Sequence, residues 1–195
     1  MKSQYWLLLA AVAFASGCGR QERIESVQLS QILKKNLANF DAVNAVENDF
    51  IRDARSWSAY IVANGAGKGE QLDQNAAVAA QLAKSAVAIS LQLGQVRQAV
   101  YDLSLKQEYP QSVRDALISD VANRQRFLQD LRTLLEQSAP QFTEFRHSKT
   151  YAGDAYPGPM GQLNALLETY KAPANAVGSA LADLKTKYKL RDNEL

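Results

Sequence analysis

The sequence predicts an all-α protein: an elongated up-down-up-down four-helix bundle with proline kinks in its third and fourth helices. Three observations carry that expectation. Apolar residues recur at steps of three and four through most of the 195 residues, which is the period of an amphipathic helix. The composition is 47% hydrophobic but only 8% aromatic, a balance suited to helices packed through small side chains. Glycine- and proline-bearing segments are short and separate long periodic stretches.

The first predicted helix runs from about Glu22 to Asn64. Leu29, Leu33, Leu37, Phe40, Val43, Val46, Phe50, Ala54, Trp57 and Ile61 form its apolar stripe, and Lys34, Lys35, Asn44, Glu47, Asp53 and Ser58 its polar side. Gly65-Ala66-Gly67-Lys68-Gly69 ends it, because glycine accepts the left-handed conformation of a helix cap. The second helix is expected from Glu70 to Lys106 on the stripe Leu72, Ala79, Leu82, Ala86, Ile89, Leu93, Val96, Val100 and Leu103. Val87 and Leu91 add a second apolar strip, so this helix is expected to be the one most enclosed by the others.

Tyr109-Pro110 breaks the pattern, and Ser112-Val113-Arg114-Asp115 has the spacing of a capping box, so a third helix is expected from Ser112. Its stripe is Val113, Leu117, Val121, Leu128, Leu131 and Leu135, continuing past Pro140 to Phe142 and Phe145. The surviving period makes Pro140 a kink. A connection over Thr150 to Met160 precedes a fourth helix, with Leu163, Leu166, Leu167, Tyr170, Val177, Leu181, Leu184 and Tyr188, which Pro173 interrupts. Segments of about 30 to 43 residues imply a rod of about 45 to 60 Å at 1.5 Å per residue.

The amino terminus has a different character. Lys2 precedes the apolar run from Leu7 to Phe14, which has the length of a secretory h-region and is too short to span a bilayer. It is followed by Ala15-Ser16-Gly17-Cys18, in which small residues lead into the chain's single cysteine, and a single cysteine can form no internal disulfide. This segment resembles the lipobox of bacterial lipoproteins, with alanine at 15 where leucine is commonest. The resemblance covers residues 1–18 alone and implies a signal peptide over 1–17, a mature domain over 18–195, and a diacylglycerol thioether with an N-acyl chain such as palmitate on Cys18. Gly19 follows the cysteine where aspartate tends to retain lipoproteins in the inner membrane, so the resemblance implies an outer-membrane anchor facing the periplasm. Two or three acyl chains suffice for durable anchoring at about 0.8 kcal/mol per buried methylene.

The chemistry of the remaining residues argues against several functions. With 22 basic and 20 acidic residues interspersed to a net charge of +2, the chain has no field that would favour nucleic acid. One histidine and one cysteine preclude a zinc or iron site of the usual kind. His147 and Met160 flank a connection rather than facing each other, which argues against haem. Ser148 beside His147 in sequence is no catalytic pair, and Gly65 to Gly69 lacks the phosphate-loop spacing. No cofactor and no enzymatic activity are therefore expected.

Aromatics and cations interleave between 142 and 160, where Phe142, Phe145, Arg146, His147, Tyr151 and Tyr156 form the candidate binding surface. Lys185, Lys187, Lys189 and Arg191 make a small basic cluster at the carboxy terminus, suited to a helix end or to anionic headgroups. The expected function is a membrane-tethered, non-catalytic module that binds another envelope protein. The alternative is a carrier or sensor for a small apolar ligand held between helices.

Overall fold

The computed structural model describes residues 3–148, 158–171 and 175–194, with side chains from residue 19 onward. It is all-helical, with five helices and no strand among the described residues. They are α1 (Ser3–Asn64), α2 (Glu70–Tyr101), α3 (Glu108–His147), α4 (Gly158–Thr169) and α5 (Ala176–Tyr188).

The expected boundaries hold at the α1–α2 turn and shift elsewhere. Gly65, Gly67 and Gly69 adopt φ of 77°, 78° and 56°, left-handed values that halt α1 and reverse the chain. Helix α2 stops at Tyr101 rather than Lys106. Helix α3 starts at Glu108 rather than Ser112, since Pro110 falls in the first turn, where its missing N–H has no intrahelical partner to lose. Ser112 is thus not a cap: its hydroxyl donates to the Tyr109 carbonyl at 2.8 Å. The helix continues through Pro140 to His147. The expected fourth helix is two, because α4 ends at Thr169 and α5 opens on a new cap, with the Asn175 side chain accepting from the Gly178 amide at 2.8 Å.

The chain forms two compact units. Unit 1 comprises Met1–Phe40, Val96–Asp120 and Asn175–Leu195. Its core is Leu29, Leu33, Phe40, Val96, Val100, Leu105, Leu117, Val177, Leu184 and Leu190, all buried. The α2–α3 connection inside it has its polar backbone satisfied by side chains: Gln111 donates to the Leu105 carbonyl at 2.6 Å and Arg114 to that of Leu103 at 2.9 Å. From below, the Glu25 carboxylate accepts the amides of Lys106 and Gln107, both at 2.8 Å, and the Gln21 side chain at 3.1 Å.

Burial pushes the Glu25 carboxyl up, but those amides, Gln21 and the Lys106 charge outweigh it and hold the group below the ordinary glutamate range. A depressed folded pKa contributes stability that is full above the unfolded value of about 4.3 and is lost as pH falls through the folded value. Glu25→Gln is therefore expected to remove about 2 kcal/mol at neutral pH and to flatten the acid limb of the stability curve below about pH 4.3, read by urea unfolding across pH.

Unit 2 comprises Asp41–Gln95 and Val121–Ala174. Contacts at 47–124 and 57–142 set α1 and α3 running the same way. Contacts at 73–146 and 90–125 set α2 against α3, and those at 55–167 and 58–164 set α4 against α1. Its fully buried side chains include Ile61, Leu93, Leu128, Leu131, Leu135, Met160, Leu163 and Leu167.

Candidate functional site

Three features of unit 2 bear on function: the end of α3, a buried polar cluster, and the outer face of α2. At the end of α3 the structure corrects one expected surface residue. Phe142 is fully buried, its ring 6.0 Å from that of Trp57 at 60°. The reason is periodicity: Phe142 extends the stripe Leu128, Leu131, Leu135 and Ser138, all of which are buried. Phe145 is half-buried, while Arg146 and His147 are exposed, and Arg146 pairs with Asp73 of α2. Tyr151, Tyr156 and the Cys18 side chain lie outside the described residues.

The buried cluster departs from the sequence expectation. Glu47, expected on the solvent side of α1, is fully buried between Val43 and Phe50, while Val46, expected inside, is 49% exposed. Ser58 is buried too. On α3, Arg124 occupies the gap between Val121 and Leu128 and is 6% exposed. Its Nε donates to Glu47 Oε2 at 3.0 Å, its Nη2 donates to the same oxygen and, at 2.7 Å, to Asn44 Oδ1. The Tyr170 hydroxyl donates to Glu47 Oε1 at 2.9 Å, and its ring lies 4.8 Å from that of Phe127. Arg55 finishes the α4 end, donating to the Leu167 and Tyr170 carbonyls at 2.6 and 3.4 Å. An ion pair enclosed by apolar neighbours penalises any helix register that separates the charges. The sequence carries a signal for it: a polar residue at a core step of each of two stripes, one acidic and one basic.

The outer face of α2 is the second correction. The helix expected to be most enclosed leaves Ala77, Val78, Ala88 and Leu91 exposed, Leu91 at 66%. Lys84 is the only charged residue from Gln74 to Val96. Helix α2 is long and apolar enough, by length and composition, to cross a membrane. Within unit 2 its other face packs through Leu72, Ala79, Ala83, Ala86, Ile89 and Leu93. Where its outer face meets α3 there is an open groove. One cavity of about 460 Å³ is floored by Ala80, Ala83 and Ala139, with Lys84, Arg132 and Glu136 at its edge. A second of about 200 Å³ adjoins it through Val87 and Arg132 and reaches Leu91 and Leu128. From Ala80 to Leu91 the groove covers twelve residues of α2, about 16 Å or three helical turns. Arg132 pairs with Glu136 at 2.7 Å.

The basic cluster at the carboxy terminus is largely engaged within unit 1. Lys185 pairs with Asp192 at 2.6 Å, and Lys187 sits 3.1 Å above the Tyr109 ring and 3.9 Å from Glu22. Burial, with Glu22 beside it, pushes the neighbouring Tyr188 hydroxyl up to about 12. Comparison with known proteins adds no relative: the chain matches no protein-family model, no curated protein and no solved structure.

Proposed function

We propose that this chain is a bacterial envelope lipoprotein, cleaved after residue 17 and anchored through acyl chains on Cys18 in the outer membrane, facing the periplasm. In this reading it is a non-catalytic module that holds another envelope protein. Helix order and contact directions in unit 2 support an up-down-up-down path through α1 to α4, with Pro140 inside α3 as the place of a bend; Pro173 lies outside the described residues.

The observation that carries the interaction is the uncovered α2 face and its groove against α3. The partner is an amphipathic helix. An alanine floor lets a helix backbone approach closely, three turns match the groove length, and Lys84, with no ion pair among the described residues, calls for an acidic residue on the partner. Fully burying Leu91 alone would contribute about 1.5–3 kcal/mol. A photocrosslinking probe at Leu91 in intact cells tests this, with the crosslinked peptide mapped by mass spectrometry. One envelope protein joined through an amphipathic helical segment, lost when Val87→Glu is added beside the probe, is the expected result. Products spread over many unrelated segments would sink it. In the same cells Cys18→Ser is expected to release the chain from the membrane fraction.

The apolar lining of the 460 Å³ cavity favours one second reading, a small apolar ligand held in the same groove. Native mass spectrometry of the purified chain separates the two, since a bound small molecule adds a discrete mass that Ala83→Trp removes.

A further inference from the structure

The α1–α2 turn encloses a second kind of pocket, separate from the groove. It has a volume of about 200 Å³ and is lined by Tyr60, Asn64, Gln71, Gln74, Asn75 and the Gly65–Gly67 backbone. We propose that this pocket binds a neutral saccharide, one pyranose ring laid against Tyr60 with its hydroxyls on the surrounding carboxamides.

Three properties point to that ligand class. No charged side chain lines the pocket, so neither an ion nor an acidic substrate finds a counter-charge there. Four carboxamides offer donors and acceptors side by side, which suits hydroxyl groups that themselves both donate and accept. Tyr60 is 58% exposed and supplies an aromatic face with a polar tip, an amphipathic surface matched to the apolar C–H face and polar rim of a sugar ring.

The pocket is also set in advance. Asn75 accepts the Trp57 indole N–H at 3.0 Å and donates to the Ala66 carbonyl at 3.0 Å, fixing its carboxamide plane. Gln71 accepts the Lys68 amide at 3.2 Å and packs against Gly67, where φ is 78° and a β-carbon would collide with the Gln71 side chain. By contrast the Tyr60 hydroxyl and the Gln74 carboxamide hydrogen-bond to no other described residue, so they are open to a ligand. Fixed groups define the shape and open ones supply the contacts, the division a small-ligand site needs. A volume near 200 Å³ holds one ring and leaves the rest of an oligosaccharide in solvent.

The test titrates the full chain in detergent micelles with maltotriose and, separately, with tri-N-acetylchitotriose, following the indole N–H resonance of Trp57. A saturable shift with at least one saccharide, with Kd of about 1 mM, is expected. Tyr60→Ala and Gln74→Ala, both at solvent-facing positions, are each expected to weaken it at least tenfold, and Leu91→Glu to leave it unchanged. No shift with either saccharide up to about 10 mM, or native affinity in Tyr60→Ala, overturns the proposal. Because Leu91 lies in the groove and Tyr60 does not, failure here leaves the docking reading standing, and the reverse.

Discussion

Replacing Arg124 by methionine is expected to lower the unfolding free energy by about 3–5 kcal/mol, a large part of the 5–15 kcal/mol typical of a folded protein. The loss comes from what is left behind rather than from the contact removed. Glu47 is fully buried and would remain so, its Oε2 stripped of both guanidinium donors and only Tyr170 still bonded to Oε1. A chain of this length loses about 2–4 °C in Tm per kcal/mol, so a fall on the order of 10 °C is expected in a thermal scan. The decisive comparison is the double variant Glu47→Leu/Arg124→Met. With both charges gone and two apolar side chains in their place, most of the loss is expected to return. A single variant less than about 1 kcal/mol below the native protein, or a double variant as weak as the single, would contradict a buried, mutually dependent pair.

Phe142→Ala is expected to cost about 3–5 kcal/mol, because it empties a fully enclosed site beside Trp57 and the unit cannot collapse completely around the void. The same change would shift Trp57 fluorescence, since the ring 6.0 Å away is lost. Arg146→Ala, one turn along at an exposed position, is expected to stay within about 0.5 kcal/mol. That contrast divides the α3 end into a packing residue and surface residues. Equal, small effects for the two variants would return Phe142 to the surface.

Much of this molecule is legible in its amino-acid sequence. The three- and four-residue steps mark the helices, and the triple-glycine turn marks the α1–α2 reversal, because a helix period and a left-handed turn are local properties of a few neighbouring residues. The start of α3 misleads through equally local features. Ser112 has a cap's spacing, yet Pro110 is compatible with a first turn, and the helix starts where the connection below it is held by Glu25. Pro173 signals an interruption, but whether two helical stretches form one bent helix or two depends on a new cap, and Asn175 provides it.

The candidate site is less legible. A stripe of step three or four admits two phases, and on α1 both Val46 and Glu47 fit between Val43 and Phe50. Hydrophobicity alone favours Val46; the fold selects Glu47, because Arg124 on α3 offers it a partner. Phe142 enters the surface set through its composition and leaves it through its phase on α3. In α2 the main stripe is buried as its pattern predicts, and the second strip stays uncovered at Leu91, because enclosure follows from how many neighbours a helix has, something no stretch of sequence records. The sequence by itself therefore determined the helices and the glycine turn, both set by interactions within a few residues. Only the tertiary structure decided which polar residues enter the buried stripes. That choice is made by pairs such as Glu47–Arg124, 77 residues apart along the chain, whose charges are tolerable in the core only together.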